Sequence, residues 1–153
     1  MRAFHGKQAK PPKLTKEDDA LRSRMQVSFE EPNTEPSIRH SVGDDGVIHV
    51  VIVGVNDGDA LSDEQQEMVL AALEVVKQTK PEVLITCCKG GNNRSCLMKI
   101  LAQIAAGQVP DAWTGHNSYF QAIVQLAEET KDVKKALREA VKPTSLRKRT
   151  RPE

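Results

Sequence analysis

Residues 47–53 read Val-Ile-His-Val-Val-Ile-Val, and all but His49 are β-branched and apolar. Such a run favours extended backbone, because branching at Cβ packs well on a pleated surface and is stiff in a helix. Being apolar on both faces, the strand is expected at the centre of a sheet covered on both sides. Ser62-Asp63-Glu64-Gln65 follows with the spacing of a capping box, and Val69, Ala72, Leu73 and Val76 then recur at helical period until Pro81. A second apolar stretch, Val83-Leu84-Ile85-Thr86, comes next. Strand, helix and strand in that order form a crossover unit, which makes the two strands parallel. The fold class predicted is therefore α/β, with a mostly parallel central sheet and helices on both faces.

The remaining segments extend that plan. Residues 26–29 suit a short strand, and 30–36, with Pro32, Asn33 and Pro36, suit a loop. Residues 38–42 and 47–53 flank Gly43-Asp44-Asp45-Gly46 and predict a hairpin. A helix over 94–106 would turn Leu97, Met98, Leu101, Ile104 and Ala105 inward, with Gly107 at its C-cap. Asn117 can cap a last helical region bearing Phe120, Ile123, Val124 and Ala127 on one face, then Val133, Ala136, Leu137 and Ala140 after a bend near Thr130.

Charge divides the chain into three. Residues 1–26 hold seven Lys/Arg against three acids, and 141–153 hold five against one, while the section between is acidic. This predicts a basic flexible arm over 1–25, an α/β domain over 26–141 and a basic C-terminal tail over 142–153. Basic tails suit an anionic partner, either nucleic acid or another acidic surface, and equally serve as solubilising tails. The amino-terminal residues are polar and lack an apolar core of a signal sequence, and no apolar run is long enough to span a bilayer. Three cysteines, two of them adjacent, do not make a disulfide framework, so a reducing cytoplasmic or nuclear setting is expected.

The chemistry concentrates in Cys88-Lys89-Gly90-Gly91-Asn92-Asn93-Arg94-Ser95, between the 83–86 strand and the 94–106 helix. A loop from a strand's C-terminal end into a helix N-terminus turns backbone N–H groups toward a site where the helix dipole favours negative charge. Gly90 and Gly91 would let the amides of 89–93 converge on an anion. Arg94 offers a planar fork for two phosphate oxygens. The same field would favour a Cys88 thiolate, Ser95 could hydrogen-bond that sulfur, and an acid from a neighbouring loop could protonate a leaving oxygen. Asp57 and Asp59 follow the 47–53 strand; Asp57 is the preferred acid by loop position and reach, and helix capping is the alternative reading of Asp59.

These eight residues resemble the signature Cys-x-x-Gly-x-x-Arg-Ser/Thr of dual-specificity protein tyrosine phosphatases. That family places an aspartate general acid upstream of the cysteine, after a β-strand, and Asp57 stands 31 residues before Cys88. The resemblance covers about residues 47–107. It implies a cysteine-phosphatase fold and a hydrolase that needs no metal or cofactor. In it Cys88 is the nucleophile, Arg94 the phosphate ligand, Ser95 the thiolate partner and Asp57 the acid. Its substrate would be a phosphoprotein or, since Asn93 before Arg94 also occurs in relatives acting on RNA 5′-triphosphate ends, a phosphorylated RNA end. Cys87 stands where the family usually has histidine. The same stretch, as Cys-x-Gly-Gly-x-x-Arg-Ser, also resembles the anion loop of RNase-adapter-type carboxy-terminal domains. That second resemblance implies RNA binding without phosphatase chemistry.

Other residues have plainer readings. Cys87 and Cys96 suit a core, His40, His49 and His116 lack metal-ligand spacing, Lys89 adds positive charge to the loop, and Trp113 suits a packing anchor.

Overall fold

The hairpin forms as its turn residues dictate. In the computed structural model, which describes residues 1–19, 23–57 and 60–140, β3 (Ser37–Val42) and β4 (Ile48–Val53) pair antiparallel with Ile38 opposite Ile52. Gly43 and Val47 close the turn through a 2.9 Å hydrogen bond. The crossover predicted after β4 is also present. Ser62 and Gln65 make a reciprocal capping box at the start of α2 (Asp63–Thr79), and β5 (Val83–Cys88) follows. Between β4 and β5 lies β2 (Arg24–Glu30), parallel to both.

Among the described residues five strands make one sheet, in the order β1-β5-β2-β4-β3, with β3 alone antiparallel. The centre is therefore β2, not the 47–53 strand, which stands one place from the edge. β-Branching fixed that segment as a strand, but its rank in the sheet was decided by β2, whose Met25, Val27 and Phe29 are all buried.

The arm expected over 1–25 is corrected more sharply. Arg2–Lys7 is β1, an edge strand running parallel to β5 with Ala3 opposite Leu84 and Gly6 opposite Cys87. Residues 16–19 form α1 (Lys16–Asp19), a single turn, and β2 already begins at Arg24. The tail expected over 142–153 and the candidate Asp59 lie outside the described residues.

Helices α3 (Asn93–Ala105), α4 (Ser118–Thr130) and α5 (Val133–Glu139) complete the chain. The bend near Thr130 is a stop and restart: Lys131 adopts a left-handed conformation (φ 58°), and Asp132 caps α5. Helices α2 to α5 pack on one another and share one apolar core with Met25, Val27, Phe29, Val50, Ile52 and Leu84. Strand residues two apart point to the same face, so these four helices cover one side of the sheet, not both.

The other side is crossed by the connection from β1 to β2, whose Pro12 lies over Gly6. One helical turn is described within that connection, and its polar composition gave no helical period to read. Helix α3 is the innermost element. From Arg94 to Ile104 every residue is buried, whereas Ala105, expected inward, is exposed at the end. No helix among the described residues is long and apolar enough to cross a membrane.

Candidate active site

The Cys88 stretch sits where the sequence places it, at the C-terminal end of β5 and the start of α3. Both cysteines belong to the strand, so their side chains point to opposite faces. Cys87, with Ser28 and Gly6 as its register partners, faces away from the helices. Its burial, with the neighbouring Cys88 adding to the effect, pushes its thiol up to about 11. Cys87 is therefore held as a neutral thiol on the face away from the helices. Cys88 faces the helical core and is 1% exposed. Its Sγ lies 3.3 Å from Ser95 Oγ, and Ser95 is anchored in turn because Thr86 Oγ1 donates to its carbonyl at 2.7 Å.

Gly91 makes the tightest part of the loop. It has φ +72°, and a Cβ there would fall 2.6 Å from Lys7 N, so the loop is pressed against the end of β1. Its amide donates to the Cys88 carbonyl at 3.2 Å, closing a turn, and the Gln8 amide donates to the same carbonyl at 3.0 Å. The expected convergence of amides on an anion is thus altered at this position. Gly90 has open space around it, and Lys89 beside it is exposed. Asn92 precedes α3, and no side-chain capping hydrogen bond is made there among the described residues.

Arg94 is buried. Its Nη1 donates to the Val55 carbonyl at 2.9 Å, and its guanidinium lies over the Phe29 ring at 5.9 Å. Its Nε lies 3.8 Å from Asp57 Oδ1, close enough for charge attraction but too far for a hydrogen bond, so this buried donor has no hydrogen-bond partner among the described residues.

Asp57 is 49% exposed on its side chain. Asn93 Nδ2 donates to Asp57 Oδ2 at 3.2 Å, and Asn117 Nδ2 donates to the Asp57 carbonyl at 2.7 Å. Asn93 Oδ1 accepts the amides of His116 at 2.6 Å and Asn117 at 2.9 Å. Two asparagines thus fasten three loops together. Asn117 was legible as the α4 cap, and it is one, accepting from Phe120 N at 2.9 Å. Its second bond, to a residue 60 positions away, has no sequence signal.

Two further groups stand near the loop. A cleft of about 470 Å³ opens beside it, walled in part by Gln8, Phe29, Glu30, Glu31, Lys89 and Arg94, while Cys88, Ser95 and Asp57 are not among its walls. On the β1 side, Thr114 Oγ1 reaches His5 Nε2 at 3.3 Å, Asn92 Oδ1 at 3.4 Å and Cys96 Sγ at 3.6 Å. Burial lowers the His5 pKa, and the charge of Lys99 lowers it further. Among the described residues no three His, Cys, Asp or Glu side chains gather as a metal site would require.

All the sequence-predicted site residues within the described regions fall around one loop: Cys88 and Ser95 on its floor, Lys89, Gly90, Gly91, Asn92 and Asn93 along it, Arg94 and Asp57 at its side. Compared with protein-family models, curated proteins and solved structures, the chain matches none.

Proposed function

We propose that this protein is a cysteine-dependent hydrolase of phosphate monoesters. The observation that carries the reading is the contact of Cys88 Sγ with Ser95 Oγ at 3.3 Å beneath a helix start with no side-chain cap among the described residues. A hydroxyl held against a buried sulfur at a helix N-terminus is suited to stabilise a thiolate, both as nucleophile and as leaving group. The Cys88 thiolate attacks phosphorus, the P–O bond to the alcohol breaks, and Asp57 protonates the departing oxygen. Water then attacks the phosphocysteine, losing a proton to Asp57, and the S–P bond breaks with the electron pair returning to sulfur while Ser95 donates to it. Arg94 balances the equatorial oxygens' charge after leaving the Val55 carbonyl.

A second reading is favoured by two specific features, the Gly91 amide closing a turn and the Asp57 carboxylate accepting from Asn93. In it the loop binds a phosphorylated ligand, an RNA end among the candidates, without turning it over. One assay separates the two. An aryl phosphate offered to wild type, Cys88→Ser and Asp57→Asn should be hydrolysed by wild type, not by Cys88→Ser, and about a hundredfold or more slower by Asp57→Asn. Turnover surviving in Cys88→Ser refutes the mechanism. Phosphate binding without turnover in wild type, lost in Arg94→Met and weakening steeply with salt, selects the silent binder.

A further inference from the structure

The cleft beside the loop lies at the C-terminal ends of three adjacent parallel strands. Gln8 follows β1, Glu30 ends β2, and Lys89 follows β5. The connections leaving β1 and β5 diverge. After β1 the chain crosses the face of Cys87, with Pro12 over Gly6, whereas α3 returns from β5 over the helical face. Neighbouring parallel strands whose connections part to opposite faces leave a crevice at their C-terminal ends, where open α/β sheets bind ligands. The volume, about 470 Å³, is within the range of sites for small molecules, roughly 300–1,000 Å³.

The crevice is lined by charged groups of both signs: Lys89 and Arg94 are positive, Glu30 and Glu31 negative. Gln8 Nε2 donates to Glu30 Oε2 at 2.9 Å and so fixes this carboxylate. Arg39 approaches its other oxygen only to 3.7 Å and is itself exposed, a pairing that is weak and exchangeable. Phe29, Ala9 and Pro32 are its apolar lining.

A glycine-bearing loop from strand to helix, with an acid ending the adjacent parallel strand, is the arrangement by which nucleotide-binding sheets hold a phosphate and a ribose together. We infer that the crevice takes a ribonucleoside 5′-phosphate. Its phosphate meets Arg94 and Lys89. Its 2′- and 3′-hydroxyls donate to Glu30, and its base lies along Ala9 and Pro32. The inference rests on the phosphate reading and adds to it the class of ligand.

Calorimetry tests it with three probes: inorganic phosphate, adenosine 5′-monophosphate and its 2′,3′-dideoxy analogue. Inorganic phosphate is titrated into wild type, and the two esters into Cys88→Ser so that they stay intact. The ribonucleotide should bind at least about tenfold tighter than the dideoxy analogue, the size expected for hydrogen bonds to a carboxylate. In Cys88→Ser carrying Glu30→Gln as well, the preference should fall below about twofold, while both esters still bind. Arg94→Met should lose all three probes. Inorganic phosphate binding in wild type with no ribose preference overturns the nucleotide inference and leaves the phosphate reading standing. A ribose preference untouched by Glu30→Gln overturns the assignment of Glu30. Absence of phosphate binding in wild type overturns both.

Discussion

Gly91 gives the most demanding test of how the loop is built. Its φ of +72° lies in the left-handed region, and an added Cβ would fall 2.6 Å from both Lys7 N and Lys7 Cγ and 2.9 Å from Gly6 C. The side chain of Lys7 can swing away, but its backbone nitrogen belongs to β1 and cannot move alone. Gly91→Ala therefore carries about 1–2 kcal/mol of left-handed strain. It also strains or breaks one hydrogen bond to the Cys88 carbonyl, worth about 1 kcal/mol. The expected loss is about 3 kcal/mol, substantial against a typical domain stability of about 5–15 kcal/mol. With a urea slope of about 2 kcal/mol/M, the midpoint should drop by about 1.5 M. Gly90→Ala is the control, since nothing lies within 4 Å of its Cβ and its φ is outside the left-handed region. It should stay within about 0.5 kcal/mol of wild type. Urea unfolding of both variants, followed by circular dichroism, decides the matter. If the two midpoints agree within about 0.2 M, the loop is not packed on β1 and the edge strand does not shape the site.

Two other consequences follow from charge and burial. The Cys87 thiol, pushed up from 9.0 to about 11, stays protonated in the fold at pH values where an unfolded chain ionises it. Stability from this source is full below pH 9.0 and lost as pH rises toward about 11. The fall in urea midpoint over that window should be shallower in Cys87→Ala than in wild type, and equal slopes would refute the burial. Lys99 Nζ and Asp111 Oδ2 pair at 2.9 Å, but Lys99 is 8% exposed on its side chain and Asp111 53%. Asp111→Asn leaves a buried ammonium unpaired and should cost about 2 kcal/mol, while Lys99→Met leaves only a solvated carboxylate and should cost less than about 1 kcal/mol. The hydrogen bond from Lys99 is the main cause holding Asp111 below the usual carboxylate range. Its contribution is present above the ordinary carboxylate pKa and lost as pH falls through the lowered one. Thermal melts of both variants from pH 7 to pH 3 check the order and the sign, and a larger loss in Lys99→Met would reverse the argument.

What could be read along the chain was what local chemistry determines. Ser62 with Gln65, Asn117, the turn at 43–46 and the Cys88 loop between strand and helix each depend on residues within a few positions. β1 was missed because Arg-Ala-Phe-His-Gly-Lys has no clean apolar alternation. It is a strand because β5, some 80 residues later, supplies its partner. The one-sided layering was missed for a related reason. An apolar strand signals that both faces are shielded, yet on the face away from the helices Val51 and Ile85 are only half-buried. The same limit applies to the site. Cys88, Arg94, Ser95 and Asp57 follow from motif and spacing, whereas Gln8 and Glu30 are placed there only by the order of strands in the sheet.

The two proposed readings ask different rearrangements of the loop's hydrogen bonds. The Cys88 carbonyl accepts from both Gln8 and Gly91, so it would remain satisfied by Gln8 if the Gly91 amide turned toward an anion. Freeing that amide costs about 1 kcal/mol. Arg94 must give up a bond to the Val55 carbonyl at 2.9 Å, a larger cost because the donor is charged, of about 1.5–3 kcal/mol. Its Nε has no such bond to lose. A phosphate at the start of α3 would regain both through charged hydrogen bonds in a buried setting. Asp57 is the harder obstacle to turnover, because Asn93 and Asn117 hold it by its side chain and backbone alike. Binding therefore requires only local rearrangement of the loop. Catalysis requires the Asp57 carboxylate to leave Asn93 and reach the leaving oxygen, so the rate with Asp57→Asn carries more weight than any affinity in deciding between the readings.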